Sequence, residues 1–252
     1  MRRKIFVVVI VLLLFLPVFT HAKDTIRAID ILNRIKKGEH ILIEDAIIEG
    51  ELDFTLAAEM KKTFEYEDTY YYEGYINSRI SFVNCEIEEE IRFSAYEGRN
   101  SFDVIFTRAV SFNNCGISGI YCSGAEFTGG IYVVECYITE EVRFSSVEFY
   151  NYSFIDTKFF KEVDFSNCDF FINKRYGSKI MLGFFGTVFK AKAIFSYNDV
   201  YEEFNFRHVA FEVEPEFSNI SFKDGAEAKF KGATLNGEPY DPFSDEEDEE
   251  GE

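Results

Sequence analysis

Apolar residues recur along most of this chain as short pairs, in which one residue separates two apolar residues and a turn follows. Between Val110 and Phe170 the pairs begin every five or six residues, so four pairs span about 21 residues, the period of a solenoid coil. An amphipathic helix would instead repeat apolar residues at three and four positions, and a half-buried strand would alternate for longer. Small or polar residues such as Asn113 and Gly129 follow the pairs, as tight corners require. The pattern predicts an all-β solenoid of very short strands, with four sides to a coil and both residues of each pair pointing inward.

The paired residues resemble the repeats of the pentapeptide-repeat family, in which a small residue stands two positions before a central Leu or Phe. Cys115, Ala125, Cys136 and Cys168 match the small position. The repeat centres are Phe112, Phe127, Phe144, Phe149, Phe154, Phe159, Phe165 and Phe170. We expect Phe154, in particular, to stack between rings of the coils above and below. The match is to a Phe-rich, degenerate form of the motif. The resemblance implies a right-handed, four-sided β-helix, but it implies no particular activity, because the family is defined by its fold.

Residues 1–22 have the composition of a secretory signal peptide. Arg2, Arg3 and Lys4 precede an apolar run from Ile5 to Phe19, and Ala22 provides a small residue for cleavage. The alternative is an uncleaved membrane anchor, although the run is shorter than the roughly 20 residues that span a bilayer. The sequence therefore predicts a secreted or cell-surface protein, membrane-anchored if the segment is not removed.

Residues 23–38 predict an N-terminal capping helix from Asp24 to Lys37. Asp24 is a suitable cap and Gly38 a suitable stop. The predicted apolar stripe consists of Ile26, Ile29, Leu32 and Ile35. Because the end of a solenoid otherwise exposes apolar rings and unpaired strands, we expect this helix to cover the first coil. A helix that binds a partner is the alternative.

Residues 39–237 carry the repeat pattern, enough for about seven coils at ~21 residues each once the interruptions are allowed for. One interruption is rich in Tyr and acidic residues and forms a candidate binding loop. Its tyrosines are Tyr66, Tyr70, Tyr71, Tyr72 and Tyr75. Insertions in solenoids often bind partners, and Tyr gives a large contact area at low entropic cost. The alternative is a strand or flap on the side of the coil with alternate tyrosines partly buried. A second interruption, Ser94 to Asp103, is short and polar.

The chain is strongly acidic, with a formal net charge of −19. Nine acidic residues and no basic one lie in residues 238–252, which predict a disordered acidic tail. We therefore expect removal of residues 241–252 to leave thermal stability nearly unchanged. Lys174, Arg175 and Lys179 form the one basic cluster visible after the signal segment. The acidic surface that follows from the net charge repels nucleic acid and favours basic proteins or cations as partners.

The cysteines and histidines of the chain are more simply interpreted as structural residues than as catalytic or metal-binding ones. The five cysteines, Cys85, Cys115, Cys122, Cys136 and Cys168, all fall on inward positions, where Cys serves as a small apolar residue. Cys115 and Cys136 are separated by one period of the repeat and would be neighbours on adjacent coils, close enough for a disulfide. His40 and His208 lack the spacing of a metal-binding pair, and no phosphate loop or dinucleotide motif is present. No cofactor, metal or catalytic residue is predicted.

Three functions fit these features. The first is a non-catalytic, exported solenoid whose rigid acidic surface binds a protein or packs at the cell envelope. The second is a DNA mimic that inhibits or protects a DNA-binding enzyme such as gyrase, as some pentapeptide-repeat proteins do, although an exported protein would not meet that target. The third is a β-helix enzyme acting on polysaccharides, for which columns of Asp and Glu would supply the acids.

Overall fold

The computed structural model describes residues 23–171 and 182–244. The predicted signal segment, the cluster of Lys174, Arg175 and Lys179, and residues 245–252 lie outside this part. About half of the described residues form strands, and most of these strands are short and pair in parallel within stacked sheets, the architecture of a β-solenoid.

Four long sheets and one short sheet make up the fold, named here by their numbers of strands. The five-strand sheet comprises Ile41–Glu44, Ile80–Val83, Val110–Asn113, Ile131–Val134 and Tyr152–Ile155. The ten-strand sheet comprises Asp24–Arg27, Ala46–Glu49, Glu86–Ile87, Gly116–Ile117, Tyr137–Ile138, Lys158–Phe159, Val188–Phe189, Ala210–Phe211, Thr234–Leu235 and Glu238–Pro239.

The remaining sheets follow the same plan. The six-strand sheet comprises Leu52–Asp53, Ile91–Arg92, Ile120–Ser123, Val142–Ser145, Val163–Asp164 and Ala193–Ile194. The nine-strand sheet comprises Lys61–Tyr66, Thr69–Ile76, Ser94–Glu97, Asn100–Phe106, Glu126–Phe127, Glu148–Phe149, Asp169–Phe170, Asp199–Val200 and Ser221–Phe222. The two-strand sheet pairs Glu203–Asn205 with Glu227–Lys229. From Ile80 to Phe170 the chain visits the five-, ten-, six- and nine-strand sheets in that order, four times over.

The interior combines aliphatic residues and cysteines with columns of stacked aromatic rings. In the nine-strand sheet, Phe149 lies between Phe127 and Phe170 at centroid distances of 5.8 and 5.2 Å. The eight phenylalanines expected at repeat centres are all buried, none more than 1% exposed. Each ring of this column thus covers the ring of the next coil, and the offset stacking of such rings adds to the burial of their area.

Corners of the solenoid use residues that tolerate the left-handed backbone. Asp45, Asn84 and Asn114 occupy one corner of successive coils with φ of 53°, 54° and 51°. Their side chains form a ladder, because Asn84 Nδ2 donates to Asp45 Oδ1 at 3.2 Å and Asn114 Nδ2 donates to Asn84 Oδ1 at 2.6 Å. Asn and Asp adopt this conformation more readily than other L-residues, which explains their place in the repeat.

The N-terminal helix is shorter than predicted. It covers Ala28–Lys36, and the preceding Asp24–Arg27 is a strand that pairs in parallel with Ala46–Glu49. The predicted cap at Asp24 is therefore wrong; the cap position is Arg27, which makes no side-chain capping bond. The buried face consists of Ala28, Ile31, Leu32 and Ile35, whereas Ile29 is 46% exposed. The helix packs its apolar face on the first coil, where the helix and the strands it covers share one core.

The predicted acidic tail does not begin at residue 238. Glu238–Pro239 pairs antiparallel with Thr234–Leu235. Tyr240 then packs against Phe211 at 5.7 Å, and Phe243 packs against Phe217 at the same distance. The expectation of a free segment from residue 238 is wrong for residues 238–244, because two aromatic side chains in this acidic stretch cover the last rings of the core.

Candidate interaction surfaces

Two β-hairpins interrupt the repeat near its N-terminal end. The first joins Lys61–Tyr66 to Thr69–Ile76, and the second joins Ser94–Glu97 to Asn100–Phe106. Their inner strands pair in parallel, from Tyr70 opposite Asn100 to Ile76 opposite Phe106. We call this four-stranded unit the hairpin pair. Because the inner strands continue into buried Ile76 and Phe106, the hairpin pair is an extension of the nine-strand sheet.

The tyrosines of the predicted binding loop lie on strands of the first hairpin. The turn itself is Glu67-Asp68, with φ of 46° and 63°, as a two-residue hairpin turn requires. Tyr66 and Tyr75 are more than half exposed, and Tyr70, Tyr71 and Tyr72 are half-buried. The expectation of a loop is wrong, because these tyrosines lie on strands. The alternative of a strand or flap matches, except that Tyr70, Tyr71 and Tyr72 are all half-buried and not alternately so. The role of these residues in binding stays a prediction.

Contacts within the hairpin pair use these rings as packing groups. Tyr72 stacks on Phe102 across the two hairpins at 4.9 Å, and Phe64 contacts Tyr71 at 5.7 Å. Lys62 Nζ lies 4.1 Å from the centre of the Tyr70 ring. Three of the five tyrosines therefore hold the hairpin pair together, leaving the rings of Tyr66 and Tyr75 as the most accessible ones.

The outer side of the nine-strand sheet carries a ladder of acidic residues. Glu126, Glu148, Asp169 and Asp199 are direct neighbours in the parallel register, one on each strand. We call these four residues the acid ladder. Each precedes a buried core residue, so alternation along the strand places its side chain outward. Neighbouring strands are about 4.8 Å apart, and four like charges therefore stand in one row.

An aromatic column runs beside the acid ladder. Tyr150 stacks on Phe171 at 4.8 Å, and Phe171 stacks on Tyr201 at 4.3 Å. Tyr150 Oη donates a hydrogen bond to Glu148 Oε2 at 3.2 Å. Lys223 Nζ forms an ion pair with Asp199 Oδ1 at 3.0 Å at the far end. The acid ladder and this column together form the acid–aromatic face.

Burial and repulsion by neighbouring acids raise the pKa of two acids of this face, Glu126 and Asp169. Burial raises the pKa of Glu126, with smaller contributions from Glu148 and Glu73. Burial also raises the pKa of Asp169, followed by the effects of Asp199 and Glu148. At the base of the hairpin pair, burial raises the pKa of Asp103 to about 6, while the Ser101 hydroxyl, which donates to this carboxylate at 3.1 Å, opposes the rise. A cationic partner that relieved this repulsion would be favoured.

The cysteines occupy core positions where a small donor is useful. All five are buried free thiols. Cys115 Sγ donates to the carbonyl of Phe82 on the preceding coil, and Thr157 at the corresponding corner donates through its hydroxyl to Val133. Cys115 and Cys136 are neighbours, as their one-period spacing predicts, with the Cys115 N–H 3.4 Å from Cys136 Sγ. Because Cys and Thr at this corner both donate to a backbone carbonyl of the preceding coil, we infer that these cysteines serve as small hydrogen-bond donors in the core.

The part of the chain that the structure describes contains neither a cluster of metal ligands nor a membrane-spanning helix. No group of three or more potential metal ligands occurs within residues 23–171 and 182–244. Over the same ranges, no helix combines the length and apolar character needed to cross a membrane.

Comparison with known proteins does not assign this chain. It matches no protein-family profile, no curated protein and no solved structure.

Sequence reasoning found the acids but missed their alignment. The signal was present as the dipeptides Glu126-Phe127, Glu148-Phe149 and Asp169-Phe170, each an acid directly before a core ring. Each dipeptide follows the last by about one period of the repeat, which puts these acids in one row. The interval from Asp169 to Asp199 is longer than one period, and the ladder continues across it because the added residues do not change the register of the sheet.

Proposed function

We propose that this chain is a non-catalytic, exported solenoid of the pentapeptide-repeat kind whose acid–aromatic face binds a basic protein partner at the cell envelope. The acid ladder carries the proposal, since Glu126, Glu148, Asp169 and Asp199 stand in register on one sheet. Opposite charge placed along this row would meet the carboxylates of Glu126, Glu148 and Asp169 in succession, and at the end of the row Asp199 already has Lys223 as its partner.

The number of sides, the number of coils and the handedness of the solenoid belong to the same proposal. We infer a four-sided β-helix, supported by the repeated order in which the chain visits four long sheets and by the left-handed corners at Asp45, Asn84 and Asn114. A coil number near the predicted seven is supported by the eight parallel strands from Ala46–Glu49 to Thr234–Leu235 in the ten-strand sheet. The right-handed sense follows from the resemblance to the pentapeptide-repeat family.

The aromatic column favours a protein cation over a hydrated metal ion. Lys and Arg side chains interact with ring faces as well as with carboxylates. Tyr150, Phe171 and Tyr201 present an aromatic surface directly beside the acids. An Arg-rich strand or loop laid along the sheet would meet a carboxylate at each step of ~4.8 Å, with a ring beside three of the four acids.

Export is proposed from residues 1–22, whose basic start and apolar run are those of a signal peptide. Cleavage after Ala22 would leave Lys23 as the first residue, and an uncleaved segment would anchor the protein in the membrane. In either form the acid–aromatic face would be outside the cytoplasm. N-terminal sequencing of the native protein distinguishes a chain that starts at Lys23 from one that starts at Met1.

A DNA mimic that binds an enzyme such as gyrase is the second candidate. The acid ladder supports it, because it is a regular row of negative charge on a rod. However, duplex DNA carries one charge per about 1.7 Å of axis, whereas the ladder has one per ~4.8 Å. The sparser row favours a protein partner over a mimic of the double helix.

Pull-down from cell-envelope extracts tests the proposed function. The bait would be the wild-type protein and a variant with Glu126→Gln, Glu148→Gln and Asp169→Asn. A matched control carries Glu140→Gln, Glu141→Gln and Glu162→Gln, three exposed acids outside the ladder. We expect a basic protein that binds the wild type and the control but not the ladder variant. Equal recovery by both variants would contradict the proposal, and recovery of gyrase would favour the DNA mimic.

A further inference from the structure

An open depression of about 620 Å³ lies at one corner of the five-strand sheet near the start of the solenoid. Its lining is His40, Ile41, Leu42, Arg79, Ser81 and Arg108. Residues far apart in sequence meet here, because Ile41 pairs with Ile80 and Ile80 with Val110. The depression is the meeting point of three successive strands.

Its two arginines differ from most others in the molecule. Five arginines form ion pairs, namely Arg27 with Asp30, Arg34 with Glu39, Arg92 with Glu51, Arg99 with Asp68 and Arg207 with Glu203. Within residues 23–171 and 182–244, the guanidinium groups of Arg79 and Arg108 have neither an ion pair nor a hydrogen bond. In a chain with 45 acidic residues, two unpaired arginines in one depression leave their donors available to a ligand.

The other polar groups of the depression add donors of the same kind. His40 Nδ1 accepts a hydrogen bond from the backbone N–H of Arg79 at 2.9 Å. The proton of the neutral ring is therefore on Nε2, which is left to donate. Ser81 Oγ lies 3.0 Å from Ser111 Oγ on the next strand. A guanidinium pair, an imidazole N–H and a hydroxyl together suit an anion's oxygens.

The sheet face next to the depression is almost uncharged. Alternation along the strands gives ten outward positions, of which Ser153 is itself covered and only 1% exposed: Leu42, Glu44, Ser81, Val83, Ser111, Asn113, Tyr132, Val134, Ser153 and Ile155. Glu44 is the one acid among them, so this face lacks the repulsion that the acid ladder creates. Leu42 is 60% exposed inside the depression and offers an apolar surface beside the arginines.

We propose that this depression binds a single oxyanion group, a phosphate monoester or a carboxylate, carried on an apolar body. The two guanidinium groups would bind the oxygens through paired hydrogen bonds, and the apolar part would lie on Leu42. The net charge of −19 opposes an extended polyanion, because each further negative group is repelled by the rest of the surface. This site is separate from the acid–aromatic face and does not depend on its role.

Titration of the full-length protein followed by amide chemical shifts tests the site. The probes are hexyl phosphate, hexanoate, inorganic phosphate and polyglutamate. We expect at least one alkyl anion to bind more tightly than inorganic phosphate and polyglutamate, shifting the amides of Leu42 and Ser81. Comparison of hexyl phosphate with hexanoate identifies which oxyanion is preferred.

Three substitutions locate the binding. Arg79→Gln and Arg108→Gln should each weaken the preferred alkyl anion by about ten-fold or more, as loss of a charge-assisted pair of hydrogen bonds predicts. Arg143→Gln, on the exposed side of the six-strand sheet, should leave affinity within about two-fold. Leu42→Asn should remove the advantage of hexyl phosphate over inorganic phosphate. No shift with either alkyl anion, tighter binding of polyglutamate, or equal losses at Arg143 and Arg79 would overturn the proposal.

Discussion

The nine-strand and five-strand sheets share one interior but present opposite surfaces. Phe149 behind the first and Phe154 behind the second are both fully buried. Outside, one sheet carries the acid ladder beside a column of rings, whereas the other has a single acid at ten outward positions and two unpaired arginines at its corner. The solenoid thus fixes inward residues strictly while leaving the outward ones free to vary by side.

The largest expected effect concerns the interior that the two sheets share. Phe149→Ala and Phe154→Ala should each lower the free energy of unfolding by about 3–5 kcal/mol, as for large aromatic side chains in tight cores. The two sites differ in their neighbours along the solenoid. Phe149 has a ring in the coil on each side, namely Phe127 and Phe170. Phe154 stacks on Phe184 in the coil on one side, but its partner in the coil on the other side is Val133. The expectation of rings both above and below Phe154 is therefore wrong.

Denaturant titration measures these losses, with Tyr150→Ala as the control. Tyr150 is partly exposed on the acid–aromatic face, so its replacement should cost far less. Equal losses for Tyr150→Ala and Phe149→Ala would mean that inward and outward positions have been confused.

The next effect concerns the C-terminal end, where the nine-strand sheet continues beyond the last strand of the five-strand sheet and residues 238–244 cover the last rings. Deletion of residues 238–252 should cost about 2–3 kcal/mol, because Tyr240 and Phe243 each bury part of a ring against the last coil. Thermal unfolding compares this deletion with one of residues 245–252, which should change stability little. If both truncated proteins have the same melting temperature as the wild type, residues 238–244 do not cover the core.

A smaller effect concerns the pH dependence of stability at Asp103, which lies on the nine-strand sheet at the base of the hairpin pair. Because burial raises the pKa of Asp103 from 3.8 to about 6, the folded protein holds this proton more tightly than the unfolded chain. This contribution to stability is complete below about pH 4 and is lost as the pH rises through about 6. Asp103→Asn should therefore raise the free energy of unfolding at pH 7.5 by roughly 1 kcal/mol, after discounting for solvent screening at a partly exposed group.

Chemical denaturation at pH 4 and pH 7.5 measures the difference. The gain from Asp103→Asn should be present at pH 7.5 and nearly absent at pH 4. Glu140→Gln, an exposed acid outside the face, should show no such difference. A gain of the same size at both pH values would mean that packing, not charge, is responsible.

The sequence predicts the interior well because a five- or six-residue spacing of apolar pairs suits few other structures. All five cysteines and the phenylalanines of the repeat are buried where the pattern places them. The pairing of the two hairpins was not predicted, because Tyr70 and Tyr72 pair with residues of a strand in the next coil and local alternation does not reveal that partner. Asp24–Arg27 was misread as helix, since its pairing with Ala46–Glu49 outweighs a favourable cap.

The surfaces could be predicted only in part. Acidity was evident from composition, but the alignment of Glu126 with Glu148 depends on a register that interruptions can shift. The basic depression was missed, because Arg79 and Arg108 are far apart in sequence and the visible basic cluster is elsewhere. Rows of side chains that run from coil to coil can be recognised only when the register between neighbouring strands is known.

Titration with an eight-residue Arg-Gly repeat peptide at low salt tests the central claim most directly. The wild type and the Glu140, Glu141 and Glu162 control should bind it equally, and the Glu126, Glu148 and Asp169 variant should bind about ten-fold or more weakly, since several charge-assisted contacts are lost. Binding should weaken as salt screens the exposed charges. Equal affinity of the ladder variant and the control variant would contradict the claim that the acid–aromatic face is the binding surface.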